Sequence, residues 1–186
     1  MVRTREGGSP ELDQDLIHEK AQAYNAEYPD ESQRLAELLE KFKRGTWSRE
    51  DIEWVVLDWK LERLPDSFSK FPENDLEDVK AAVHTALSAD SPREKIEAFT
   101  ENEDIAGVGL AVATAIMVFL DPDRYTLIDQ HAWRALRASG YVDRPYDSPD
   151  IDDYLLYLGI CRTLAHEYEV GLRDLDRALW MIGRDL

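Results

Sequence analysis

A chain of 186 residues is long enough for one sizeable hydrophobic core, in one body or two helical lobes, and too short for several independent domains. Its net charge of −17 runs against the basic footprint of an ordinary nucleic-acid binder, and its single cysteine, Cys161, excludes an internal disulfide and any cysteine-ligated zinc or iron–sulfur site. The balance of 7 Lys and 15 Arg against 21 Asp and 18 Glu is a low-lysine, high-aspartate surface of the kind suited to a salt-saturated cytoplasm. In molar salt, counterion release contributes little, so DNA would have to be held by backbone amides, helix N-termini and shape. The same charge also fits an acidic protein that never meets DNA.

The opening MVRTREGGSPELDQ has early arginines with no apolar stretch behind them, so residues 1–9 read as a flexible lead-in rather than a secretory signal. A cytoplasmic address is expected, with residues 10–186 forming one helical domain. Apolar residues recur at spacings of three and four, which predicts an all-α chain. Pro10 opens a first helix through Leu12, Leu16, Ile17, Ala21 and Tyr24 that ends before Pro29. Leu35, Leu38, Leu39 and Phe42 mark a second, stopped at Gly45. Ser48 with Asp51 resembles a capping box and starts a third, carrying Ile52, Val55, Val56, Trp59 and Leu61. Pro65 to Pro72 is a connector. A fourth helix beginning near Asn74 should bury Leu76, Val79, Val83 and Leu87.

Ser91-Pro92-Arg93-Glu94 combines an N-cap, a proline at the first helical position and a glutamate at the third, opening a short helix to about Thr100. After Ile105-Ala106-Gly107-Val108-Gly109 comes Leu110 to Leu120, which has no polar face except Thr114 and should be buried on all sides. The uncharged run from Ile105 is shorter than the roughly 20 residues a bilayer span requires, so no membrane partner is expected. An extended link, Tyr125 to Ile128, delivers Asp129 to a helix closing at Gly140. Two more follow, from Asp150 to about Ala165 and from Leu172 to Gly183.

The glycine pair lets backbone approach another molecule closely, and the amides opening the next helix have no intrahelical partners, so the turn can hold a phosphate. Gly-x-Gly alone equally describes a plain helix–helix turn. Asp129 likewise fits an ordinary N-cap as well as a functional carboxylate. His18, His84, His131 and His166 show no ligand spacing, and no catalytic metal is expected.

Taken together, a short helix, IAGVG, an apolar helix and an extended approach to IDQHAW resemble the core of the helix-hairpin-helix DNA glycosylase superfamily, where Leu-Pro-Gly-Val-Gly precedes Val-Asp-x-His. The IDQHAW segment and its distance from the hairpin are most similar to the 8-oxoguanine DNA glycosylase branch, over about residues 91–140. The resemblance implies a bundle of two small lobes around a buried central helix, with DNA as partner and the protein acting as a monomer.

It also implies that Asp129 is the catalytic carboxylate and that His131 supports the helix start. The amides of Gly107, Gly109 and Ala111 would face phosphate, and carbonyls of Glu103, Ile105 and Val108 would hold a structural K+ or Na+. Trp180 and Asp176 on the last helix would line the base pocket; Trp54, Trp59, Trp133 and Trp180 are candidate rings by type, and each also fits a helical core pattern. Lys60 and Arg63, or Arg134 and Arg137, would contact the strand; the alternative is exposed ion pairs.

The chain departs from the pattern in two places. Ala106 replaces the hairpin proline, and Leu110 and Ala111 stand where strand-cutting members carry a lysine. The implied enzyme is therefore monofunctional, hydrolysing the N-glycosidic bond with water, unless Lys60 or Lys95 reaches in to form a Schiff base. The alternatives are a non-enzymatic helix-hairpin-helix DNA-binding module and an interaction protein that has kept the fold and lost DNA.

Overall fold

The computed structural model describes residues 11–60 and 70–186; Pro10, Leu61, Arg63, Pro65, Phe68 and the side chain of Lys60 lie outside the described residues. The described chain is all-helical, with α1 at Gln14–Glu27, α2 at Pro29–Arg44, α3 at Arg49–Glu53, α4 at Leu76–Ser88, α5 at Pro92–Thr100, α6 at Leu110–Leu120, α7 at Gln130–Ala138, α8 at Ile151–Glu167 and α9 at Leu172–Arg184. No helix is long and apolar enough to cross a membrane among the described residues. The chain forms two compact units, one of Ala36–Asp121 and the other reaching to Leu35 and resuming at Pro122–Leu186.

In the unit Ala36–Asp121, α6 fulfils its expectation: every side chain from Val112 to Phe119 is buried. Its one polar group, the Thr114 hydroxyl, donates to the carbonyl of Ala111 at 3.0 Å and so needs no partner from outside the helix. Phe42 stacks on Trp47 at 5.2 Å and meets Phe119 at 5.7 Å, so the last turn of α2 closes over the end of α6. The Ser48–Asp51 capping box is present, yet the helix it opens does not continue as one α-helix. From Trp54 to Lys60 it widens into a π-turn, which sets Trp59 edge-on against Phe119 at 5.1 Å.

The expected burial of Leu87 is corrected in the fourth helix, which starts at Leu76 under an Asp75 cap, beside the expected start near Asn74. Its buried stripe is Val79, Ala82, Val83 and Ala86, and Leu87, roughly 100° around the helix from Ala86, is 55% exposed.

In the other unit, α9 packs on both α1 and α7 through Leu175, Ala178, Leu179 and Ile182, a stripe at spacings of three and four. The helix ends at Arg184, one residue past the expected end at Gly183. Gly183 lies inside the last turn because a Cβ there would stand 2.5 Å from the carbonyl carbon of His131 and closer still to its oxygen. Behind this contact the Tyr24 hydroxyl donates to Glu31 at 2.5 Å, Glu31 accepts from Arg173 at 2.6 Å, and Arg173 also pairs with Asp176. Burial pushes the Tyr24 phenol far above its ordinary range despite the nearby Arg173, so it remains a donor.

Candidate functional site

The glycine turn is built almost wholly from backbone. Gly107 has φ +76, which few L side chains adopt, and a Cβ there would lie 3.0 Å from the backbone nitrogen of Phe71. Two independent constraints therefore demand glycine. Gly109 is different: its φ is −84, it caps α6 without a side chain, and a Cβ on it would meet nothing within 4 Å. Only openness in front of the helix end distinguishes it.

Asn74 holds the turn in place. Its side-chain amide donates to the carbonyl of Ala106 at 2.9 Å, and its oxygen accepts from the Ala106 amide at 2.6 Å. Arg49 then fixes Asn74 by donating to its carbonyl at 2.9 Å. In the sequence Asn74 marks only the neighbourhood of a helix start, and nothing there signals a partner across the chain.

With the turn so held, Ile105 and Val108 point inward and are buried, while Glu103 and Gly109 are exposed and Gly107 and Ala111 half-buried. The carbonyls of Glu103, Ile105 and Val108 accept no backbone hydrogen bond outside the helices among the described residues. Among those residues no group of three or more His, Cys, Asp or Glu is arranged to hold a metal ion. Lys95 directs its ammonium to the end of α4, donating to the carbonyl of Ala86 at 2.8 Å.

The acidic site is built from packed side chains. The link into α7 is buried from Tyr125 to Ile128. Tyr154 donates to the carbonyl of Thr126 at 3.1 Å, and Arg162 lies over the Tyr125 ring at 5.3 Å while donating through Nε to the Arg124 carbonyl at 2.8 Å. So anchored, the link places Asp129 half-buried at the N-cap of α7, its carboxylate accepting from the His131 amide at 2.7 Å. The positive end of the helix dipole lies at that carboxylate.

One turn into α7 from Asp129, Trp133 is buried between Tyr157, stacked at 6.2 Å, and Tyr146, edge-on at 6.0 Å. The indole donates to the carbonyl of Arg144 at 3.0 Å, and Arg144 lies over the same ring at 5.8 Å while pairing with Asp153. Burial, with the Asp129 charge adding to it, pushes the Tyr146 hydroxyl up to about 12.

The other named residues fall as follows. His131 is half-buried and meets Trp180 edge-on at 5.4 Å. Trp180 is half-buried, among Tyr24 at 5.5 Å, Tyr28 at 6.0 Å and the Arg184 guanidinium at 5.2 Å. Asp176 is buried against Arg173. Arg134 is exposed and donates to the carbonyl of Gly183 at 3.3 Å, and Arg137 is exposed. Trp133 is a core residue, whereas Trp54 and Trp59 are half-buried.

The sequence matches no protein-family model, and no curated protein is found to be similar to it. Among solved structures the chain is similar to the 8-oxoguanine DNA glycosylase of Methanocaldococcus jannaschii, at 20% identity and a TM-score of 0.46 over 90% of this chain and 86% of that one. It is also similar to a structure of the 8-oxoguanine glycosylase/lyase of that organism in complex with a 15mer DNA containing 8-oxoguanine, at 19% identity and a TM-score of 0.45 over 93% and 91% of the two chains. Likeness at this level leaves the chemistry to the residues themselves.

Proposed function

We propose that the protein is a monofunctional DNA N-glycosylase that removes a damaged or modified base by hydrolysis. The observation that carries this reading is the setting of Asp129, a half-buried carboxylate at a helix N-terminus with three aromatic rings packed along the same helix. Breaking the N-glycosidic bond builds positive charge on the deoxyribose. A fixed carboxylate in an environment poor in water stabilises that charge more than bulk solvent does. Asp129 would also orient the water that adds to C1′, the water's proton leaving with the displaced base. Its bond to the His131 amide fixes the carboxylate's orientation, so that little reorganisation is needed as charge develops.

In this reading the amides of Gly107, Gly109 and Ala111 hold a DNA phosphate, assisted by a K+ or Na+ on the carbonyls of Glu103, Ile105 and Val108. Trp180 borders the base, and Asp176, paired with Arg173, secures α9 behind it. Lys60 and Arg134 lie along the strand. With Leu110 and Ala111 after the turn, and Lys95 engaged at the end of α4, no amine is assigned to a Schiff base. Water is the nucleophile in this reading, and Lys60, whose side chain lies outside the described residues, is the amine that would replace it in a lyase.

A second reading, a non-enzymatic DNA-binding module, draws on the open space in front of Gly109, which suits phosphate whatever Asp129 does. Duplexes carrying 8-oxoguanine, uracil, hypoxanthine or an alkylated base, incubated at high potassium and then treated with hot alkali, separate the two. Excision of at least one base is expected, with Asp129→Asn lowering the rate about 10²–10³-fold while binding persists. Asn remains a good N-cap, so the variant keeps its helix. Binding without cleavage of any duplex selects the module, and an Asp129→Asn protein that cuts at the wild-type rate removes Asp129 from the chemistry.

A further inference from the structure

The loop between α7 and α8 is fixed at three points. Trp133 donates to the Arg144 carbonyl at 3.0 Å, the Arg144 side chain pairs with Asp153, and Asp153 closes the capping box of α8 by accepting from the Asp150 amide at 3.0 Å. These contacts hold Tyr146 edge-on at 6.0 Å to Trp133, itself one turn along α7 from the Asp129 cap. The ring is half-buried, and its hydroxyl makes no hydrogen bond among the described residues. A phenol held by its ring against Trp133, with its hydroxyl bonded to no described residue and within the field of the Asp129 charge, is placed for something outside the fold. The nearby Tyr157 hydroxyl offers a contrast: it lies beside the Cys161 thiol in a fully buried residue.

We propose that Tyr146 is a substrate-contacting residue whose hydroxyl donates a hydrogen bond to an acceptor oxygen or nitrogen of the nucleotide held at Asp129. The inference rests on the glycosylase reading and extends it by naming a group that positions the sugar and base for that carboxylate. Because burial and the Asp129 charge keep the phenol protonated up to about pH 12, it serves as a donor at any working pH.

Among the described residues the hydroxyl has no partner, so Tyr146→Phe deletes no hydrogen bond there, and a purely structural Tyr146 predicts no change in any property. The test compares wild type, Tyr146→Phe and Tyr146→Ala in thermal melting, in single-turnover excision of the base the wild type removes, and in binding to a duplex carrying a tetrahydrofuran abasic analogue. The expected result is a Tyr146→Phe protein that melts with the wild type but excises or binds at least tenfold less well, with Tyr146→Ala losing stability as well. Tyr146→Phe equal to wild type in both excision and binding overturns the inference while leaving the glycosylase reading intact. A wild type that excises no base overturns that reading instead. In that case a tenfold loss of tetrahydrofuran-duplex binding in Tyr146→Phe still supports a nucleotide contact, and equal binding removes it.

Discussion

The glycine turn and the neighbourhood of Asp129 are made of different materials. The turn uses backbone: a positive-φ glycine against the Phe71 chain, an open glycine at the end of α6, and one asparagine pairing with both polar groups of Ala106. The acidic site uses side chains, with Trp133, Tyr157, Tyr146, Tyr154, Arg144 and Arg162 each packed against a neighbour or bonded to a carbonyl. A backbone site tolerates changes of side chain as long as dihedral angles and clearances are kept. A side-chain site tolerates changes of backbone only where helices do not touch.

The hardest way to break this contrast is Gly183→Ala, which would drive a methyl into the His131 backbone and push α9 from the start of α7. A loss of about 3 kcal/mol in urea unfolding is expected, with excision falling in step; a variant as stable as wild type would show that the two helices can part without cost. Next comes Gly107→Ala, which combines a left-handed backbone with a 3.0 Å approach to Phe71 and should cost about 2 kcal/mol together with DNA binding.

Asn74→Ala attacks the same turn from the side. Since Ala106 is exposed, water can replace the lost partners, and about 1–2 kcal/mol is expected from chemical denaturation. Gly109→Ala sharpens the comparison most. Its backbone is ordinary and its surroundings empty, so stability should stay within about 0.5 kcal/mol. If a phosphate rests on the amides there, DNA affinity measured by fluorescence anisotropy falls all the same; unchanged affinity would assign the open space to solvent.

Periodicity made most of this architecture legible. The apolar run of α6 has no polar face, the caps Ser48 and Ser91 stand where their hydrogen-bonding partners follow three residues on, and Gly45 and Gly140 end helices with φ +66 and +81. Asp129 was readable as an N-cap because its side chain precedes an amphipathic stretch. What stayed hidden depends on contacts remote in the chain or on geometry without a residue signature. Asn74 bonds across to Ala106, Gly183 is required by the backbone of another helix, and Tyr146 owes its position to Arg144 and Asp153. Leu87 is apolar but sits just off its helix's buried stripe, an angular offset that composition cannot convey.

The wide turn at Trp54–Lys60 carries one more lesson. Such a turn accommodates a residue beyond what a regular α-helix would hold, with i→i+5 rather than i→i+4 bonds. Losing a single amino acid there would return the segment to ordinary winding. The helix thus absorbs one extra residue within itself rather than in a loop, and the edge-on meeting of Trp59 with Phe119 is what such a deletion would disturb.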